Sequence, residues 1–313
     1  MNSTRQKIYN AHNLPDIYLS WRDRDDSMAS DHKKVELTKH IQFEEFSKQK
    51  IVGQVLKGDN QLLMTSLLSK YRGKIDLIYL DPPFKTGKDF STTRTGSKVL
   101  AYSDKFLLGE KSYWQFIWER LRIMYELLSP RGALFLHTDY RTSSQLKLML
   151  LELFGESNYI NEIIWSYKTG GNSKTLGFAR KHDTIHYCVK NRELARWNNL
   201  REKSYLSHKY GFKNIELHED ELGIYNLVSM RDVWEIPALR GNQPERVDYP
   251  TQKPLALLER IIASSTNPGD LVADFFCGSG TTGVAAKKLN RRYLLVDSGS
   301  LAIKTSIARL KKI

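Results

Sequence analysis

The stretch LVADFFCGSGTTGVAAKKLNRRYLLVD, residues 271–297, carries the pattern that decides the fold. LVADFF (271–276) is an apolar run that predicts a buried strand, and it passes straight into Cys277-Gly278-Ser279-Gly280-Thr281-Thr282-Gly283. A helix is expected over 281–289, and RYLLVD (292–297) predicts the next strand. Read as G-x-G-x-x-G, with Asp297 closing the following strand 19 residues after Gly278, this is a nucleoside-cofactor pattern. Glycines let the backbone turn tightly and approach a ligand with no Cβ in the way. Amides at the helix N-terminus favour an anionic group, and an acid after the next strand suits ribose hydroxyls. A nicotinamide dinucleotide and S-adenosylmethionine both offer those groups. The loop alone does not choose between them, nor does it exclude a plain structural turn.

Outward from this unit, short apolar runs alternate with longer amphipathic stretches, as in an α/β sheet with covering helices. Strands are expected at KIVGQVL (50–56), IDLIYL (75–80), ALFLH (133–137), INEIIW (160–165) and DTIHYCV (183–189) as well. Helices are expected at 60–70, 112–128, 142–154 and 254–264. On the second of these, Phe116, Ile117, Leu121, Met124 and Leu128 form an apolar stripe that reads as core. Residues 1–49 are polar and read as an irregular extension followed by a helix over roughly 33–48.

The chain has 313 residues, 41% hydrophobic and 27% charged, enough for a sizeable core and against wholesale disorder. No apolar run approaches the ~20 residues that span a bilayer, and the N-terminus lacks a secretory apolar stretch, so a cytoplasmic protein is expected. Two cysteines, Cys188 and Cys277, cannot build a Cys-rich zinc site or a disulfide framework, and no metal is expected. Lys plus Arg is 48 against 35 Asp plus Glu, a net charge of +13, which attracts polyanions. Between Ser166 and Asn214 eleven basic residues face three acidic ones, a local balance of +8, with seven aromatics interleaved. A solvated face would account for the charge. Concentrated cations among aromatics instead favour a groove for a nucleic-acid backbone.

The cofactor is chosen elsewhere, at Asp81-Pro82-Pro83-Phe84, which ends the strand IDLIYL. Two prolines lock φ and remove two donors, so the turn offers a carboxylate, free carbonyls and an aromatic face. It does so at the carboxyl end of a strand, where open α/β sheets bind ligands. An exocyclic amine on a flat base needs that set: carboxylate and carbonyl accept its hydrogens, and Phe84 stacks on the ring.

Together these residues resemble the amino-methylating DNA methyltransferases that use S-adenosylmethionine, marked by Asp/Asn/Ser-Pro-Pro-Tyr/Phe/Trp and a Phe-x-Gly-x-Gly loop. The catalytic turn precedes the cofactor loop with the basic segment between them, an order similar to the beta class, which includes type III restriction-modification Mod subunits. KGDNQLL (57–63), WERLRIMYELLSPRGALFLHTD (118–139) and YPTQKPLALLERII (249–262) extend the likeness over most of 50–310. The resemblance implies a Rossmann-like, circularly permuted α/β fold: a mostly parallel seven-stranded sheet with helices on both faces, plus a target-recognition insertion. It divides the chain into an extension (1–49), a catalytic half (50–165), a target-recognition and DNA-binding region (166–250) that includes the final sheet strand near 183–189, and a cofactor-binding half (251–313).

By the same resemblance, Asp81, Pro82, Pro83 and Phe84 hold the target amine and stack on its base. Asp274, Phe275, Phe276, Cys277, Gly278, Ser279, Gly280 and Thr281 wrap the methionine part of the cofactor, and Asp297 holds its ribose. Asp59 contacts its adenine and Lys253 lies near its carboxylate. Phe84 stands where Tyr is commoner, and Cys277 where Ala is common. His137 ends a strand at the same cleft, and a satisfied core histidine reads as well there as a functional one. Lys168, Lys174, Arg180, Lys181, Arg192, Arg196, Arg201 and Lys203 are the expected DNA contacts. Cytosine-C5 chemistry needs a thiolate, typically after proline, and neither Cys188 nor Cys277 follows one. Within the resemblance, Asp rather than Ser before Pro-Pro implies adenine N6 over cytosine N4, so the expected activity is transfer of a methyl group to the N6 amine of an adenine flipped out of duplex DNA, by direct in-line displacement. Cytosine N4, or a DNA-binding protein that keeps a silent methylase fold, are the alternatives. A second copy of the chain and a cognate restriction endonuclease are the further expected partners.

Overall fold

The computed structural model describes residues 19–27, 36–48, 50–92, 99–103, 112–167, 176–206, 215–240, 243–247 and 249–313. Fourteen strands and six α-helices lie among them. The strands are β1 (Ile41–Ser47), β2 (Lys50–Lys57), β3 (Ile75–Leu80), β4 (Asp89–Thr92), β5 (Val99–Ser103), β6 (Leu128–Thr138), β7 (Tyr159–Ser166) and β8 (His182–Val189). They continue with β9 (Arg201–Tyr205), β10 (His218–Asp220), β11 (Gly223–Ser229), β12 (Val233–Glu235), β13 (Leu271–Asp274) and β14 (Arg292–Asp297). The helices are α1 (Asn60–Tyr71), α2 (Tyr113–Leu127), α3 (Ser143–Phe154), α4 (Leu255–Ser265), α5 (Thr281–Lys288) and α6 (Ser300–Leu310).

Nine strands form one sheet in the order β1-β2-β14-β13-β3-β6-β8-β7-β12. The central seven are the seven strands read from the sequence. β2, β14, β13, β3 and β6 run parallel, and β8 is antiparallel to both its neighbours. Side chains alternate across the sheet with period two. Ile78, Leu80, Leu134, Leu136 and Val296 pack under α1, α2 and α3 with Leu63, Trp118, Leu121 and Leu146. Leu77, Tyr79, Ala133, Phe135 and Leu295 pack under α4, α5 and α6 with Leu257, Ile261, Ala285 and Ile303. Helices therefore cover both faces. The glycine-loop strand, β13, comes late in the chain yet lies beside β3, so the two halves of the site meet through a permuted order.

The structure corrects two expectations. Where a helix was read over 33–48, the described part is a single 3-10 turn (Leu37–His40) followed by strand β1. Lys48, at φ 46°, turns the chain back so that β1 pairs antiparallel with β2. Edge pairing and the Glu45 contacts to Lys287 and Tyr293 outweigh local helical preference there. β12 adds a second strand at the opposite edge. The segment 166–250 supplies to the main sheet both β8, the strand read within it, and β12, while β9, β10 and β11 form a small sheet of their own. Of the extension, residues 19–27 strap the body. Arg24 lies between Trp21 and Trp118, its guanidinium 5.0 and 5.1 Å from their ring centroids, and pairs with buried Glu152.

Candidate active site

The parallel strands β2, β14, β13, β3 and β6 end at one edge, and register sets which residues meet there. Asp274 pairs with Tyr79, Asp297 with Lys57, and Leu80 with Leu136. Asp59, Asp81, His137, the loop 274–280 and Asp297 therefore share this edge, and all but His137 and Gly280 line a cleft of about 500 Å³. No candidate metal cluster of His, Cys, Asp and Glu occurs among the described residues.

Asp81-Pro82-Pro83-Phe84 leave β3 as irregular chain, as the paired prolines require. Lys253 Nζ donates to Asp81 Oδ2 at 2.5 Å, and the same ammonium lies 5.2 Å from the Phe84 ring centroid. Lys253 arrives on the 249–254 turn, where β-branched Thr251 is held at φ 59°, a strained left-handed conformation seen mainly where a site demands it. The lysine expected beside a cofactor carboxylate thus sits on the Asp81 carboxylate.

Behind Phe84 stands His137, ring centroids 5.7 Å apart. His137 is fully buried, with Nδ1 2.8 Å from the Tyr79 hydroxyl and Nε2 3.2 Å from Asp183 Oδ2. Tyr167 donates to the other oxygen of Asp183 at 3.1 Å. Burial pushes the Asp183 carboxyl up, but the hydrogen bond and charge of His137 outweigh it and hold the group below its ordinary range. His137 is a satisfied core histidine that backs the Phe84 ring.

In the glycine loop, Thr282 donates to Asp274 Oδ2 at 2.5 Å and the Phe276 amide to Oδ1 at 3.0 Å. Burial nevertheless pushes the Asp274 carboxyl up to about 7. Gly278 and Gly280 take φ 48° and 75°, and α5 starts directly after them. The Asp297 carboxylate accepts from the amides of Gly278 (2.9 Å) and Gly299 (2.8 Å), and burial raises its pKa. The side chains of Phe275, Ser279 and Thr281 turn into the body. Phe275 is core, while Arg309 Nη1 donates to the Ser279 carbonyl (2.9 Å) and the Thr281 hydroxyl (2.8 Å). Cys277 is buried with Sγ 3.8 Å from Ser306 Oγ, and burial pushes its thiol well up.

On the remaining wall Asp59 and Phe276 were read from the sequence, whereas Asn60, Phe116 and Arg120 were not. Asp59 caps α1 by accepting from the Leu62 amide at 3.0 Å and meets Arg120 Nη2 at 3.3 Å. Arg120 Nε donates to Asn60 Oδ1 at 2.6 Å, and its guanidinium lies 3.6 Å from the Phe116 ring centroid. Burial lowers the Arg120 pKa to about 10. Phe116 meets Phe276 edge to face at 6.1 Å. Of the stripe read as core, Ile117, Leu121, Met124 and Leu128 are buried, whereas half-buried Phe116 faces the cleft. Phe116 and Arg120, four apart on α2 and so on one face, were the available signal.

The basic tract scatters. Lys168 and Lys174 lie outside the described residues. The Arg180 guanidinium covers the Tyr140 ring at 3.9 Å on the cleft edge, and the Lys181 carbonyl accepts from the Tyr167 amide. Arg192 and Arg196 follow β8, which runs antiparallel, so they sit at the opposite edge: Arg192 donates to the Ser157 carbonyl, and Arg196 pairs with Asp270, just before β13. Arg201 and Lys203 belong to the small sheet, where Lys203 meets Asp220 at 2.6 Å. Tyr187 is core, stacked on Phe135 at 4.4 Å and overlain by Trp197 at 6.0 Å. These side chains do not build one groove.

A permuted parallel sheet with an Asp-Pro-Pro-Phe turn beside a glycine loop defines a class, and comparison agrees with it. The chain belongs to the DNA methylase family, which it matches over residues 75–308. It is 31% identical over 241 residues to the type II methyltransferase M.HpaI of Haemophilus parainfluenzae, covering 75% of this chain and 68% of that protein. It is 28% identical over 239 residues to the DNA adenine methyltransferase YhdJ of Escherichia coli strain K12, covering 75% and 76%. Among solved structures, that of the M1.HpyAVI–SAM complex shares the fold with a TM-score of 0.52 at 22% identity, covering 82% of this chain and 99% of the other.

Proposed function

We propose that this DNA methylase transfers the methyl group of S-adenosylmethionine to the N6 amine of adenine in duplex DNA. The observation that carries the reading is Asp81: a carboxylate at the end of β3, fixed by Lys253, beside Phe84 and across one cleft from the glycine loop. The name of the relative YhdJ supports adenine as the base.

The cleft fits the cofactor. Its volume is nucleoside-sized. A Cβ on Gly278 would close to 3.1 Å of the Tyr249 ring, so the loop is a cradle that only glycine leaves open. Asp297 keeps lone pairs for ribose hydroxyls, Asp59 offers a half-exposed carboxylate for an adenine amine, and Phe116 and Phe276 supply apolar wall. When bound, S-adenosylmethionine supplies a methyl group already activated on sulfonium. The protein's work is then to position and desolvate. Asp81 and a proline carbonyl accept the two hydrogens of the amine, which concentrates electron density on nitrogen as it attacks in line. Phe84, backed by His137, fixes the plane of the base. The surplus proton leaves afterwards. No covalent enzyme intermediate is required, and both thiols are buried with their pKa pushed up by that burial, unsuited to the thiolate route to cytosine C5.

A stacked base does not reach this cleft, so the target is flipped out at a cost of a few kcal/mol. Arg180 and Lys181, at the cleft edge, offset part of this through phosphate contacts. No helix among the described residues is long and apolar enough to cross a membrane.

The test is to incubate the protein with unmethylated genomic DNA and methyl-labelled S-adenosylmethionine, then identify the digested nucleosides by mass spectrometry. Labelled N6-methyladenine is expected. N4-methylcytosine would keep the chemistry and overturn the base, and an unlabelled digest would point to a silent fold. Replacing Asp81 and Phe84 together by Ala lowers transfer at least ~100-fold with DNA affinity retained. Full turnover in that variant would refute the site.

A further inference from the structure

Two large apolar side chains stand wholly in water: Leu176 is 107% exposed and Phe178 100%. Gly177, between them, takes φ 116°, a conformation that other residues rarely adopt, and a Cβ there would meet nothing within 4 Å. The triplet belongs to the connection from β7 to β8, which is anchored at its return. The Tyr167 amide donates to the Lys181 carbonyl at 2.9 Å, and Arg180 covers Tyr140.

Position and charge give this tip a partner. Register places Thr184 of β8 against Thr138 of β6, and Leu136 of β6 against Leu80 of β3, next to Asp81. The loop therefore rises from the cleft edge two strand spacings from the Asp81 turn, about 10 Å. Asp183, three residues after Arg180, holds the histidine that backs Phe84. Arg180 and Lys181, two and three residues after Phe178, put two cations at the base of the tip, while neighbouring Arg141 is paired with Asp139. Apolar side chains carried just beyond cations match a duplex, with phosphates outside and base faces inside.

We propose that Leu176 and Phe178 form a wedge that enters the base stack and fills the space left by the flipped target. The inference rests on the base-flipping reading above. It assigns to these residues the opening of the duplex, and leaves the chemistry to Asp81 and its neighbours.

The test uses the whole protein, with the recognised sequence first read from DNA it has methylated. Binding of wild-type protein to a duplex carrying 2-aminopurine at the target position should raise fluorescence. A Leu176→Ser/Phe178→Ser variant should lose most of that rise and about tenfold in kcat/KM on paired duplex. A mismatch opposite the target opens more readily and should restore the variant to within about threefold of wild type. Phe178→Trp should keep activity, and both variants should keep the wild-type melting temperature, since the replaced side chains touch no core. Equal loss on paired and mismatched duplex, or undiminished fluorescence in the double variant, overturns the wedge. No rise with wild-type protein overturns base flipping itself and the wedge with it.

Discussion

Asp274 ends β13 with its carboxyl enclosed and its pKa pushed by burial up to about 7, against 3.8 for the free group. The sign of the linkage follows. Below pH 3.8 the group is protonated folded or unfolded, and burial costs nothing. Between pH 3.8 and about 7 the unfolded chain loses the proton while the folded one keeps it, so stability falls as pH rises, by up to about 1.4 kcal/mol per unit. Above 7 the loss is complete and constant. Asp274→Asn removes this titration. In cofactor-free protein, the melting temperature of the variant relative to wild type should climb by roughly 2–4 °C per pH unit from pH 5 to 7, then level off. A difference independent of pH would show that the Thr282 and Phe276 hydrogen bonds hold the carboxylate ionised. Asp81 and Asp297 were legible in the sequence because each closes an apolar run, and Asp274 because the resemblance marks the loop that contains it. Arg120 and Asn60 were not, because a buried charge on a helix read as packing gives no local sign of the carboxylate it meets from a distant helix.

The glycine loop shows why an element demands one residue type. A Cβ on Gly280 would stand 2.5 Å from Ser306 Oγ and 2.9 Å from the Ser306 Cα, which is α6 backbone and does not yield. Gly73 shares the left-handed φ, at 65°, but has nothing within 4 Å of its Cβ position. Gly73→Ala should cost about 1 kcal/mol for backbone alone. Gly280→Ala adds overpacking and should cost about 3 kcal/mol, with loss of S-adenosylmethionine binding by calorimetry. Equal costs for the two alanines would mean that α6 contact is not what requires glycine. The same scale explains which elements sequence discloses. The seven central strands carry nearly continuous apolar runs because both faces are covered, and all seven were legible. β1 and β12 are edge strands: IQFEEFS mixes charges with apolar residues and VWE is three residues long, so neither makes a period. α6 was passed over although Ala302, Ile303, Ser306 and Leu310 keep helical spacing, since it follows the last strand with no further strand to demand it.

At the scale of the whole molecule, the described cations of the 166–214 segment do not collect on one edge of the sheet. Sequence counts the +8 segment as a block, whereas the reversal of β8 carries its middle from the cleft edge to the far edge within eight residues. Arg180 enters β8 beside Tyr140, and Arg192 and Arg196 leave it at the opposite end, Arg196 in an ion pair with Asp270. Linear charge density therefore overstates the interface, and three-dimensional direction decides which cations meet phosphate. If duplex DNA docks over the catalytic edge, Arg180→Ala removes one counterion-releasing contact. The slope of log K against log salt should then fall by about one. Arg192→Ala should leave that slope unchanged, and Arg196→Ala should lower the melting temperature with the slope intact, since it breaks a partly buried pair. DNA-binding titrations over a range of salt check all three. An equal drop in slope for Arg180 and Arg192 would mean that the duplex wraps both edges of the sheet, and that charge along the chain was the better guide after all.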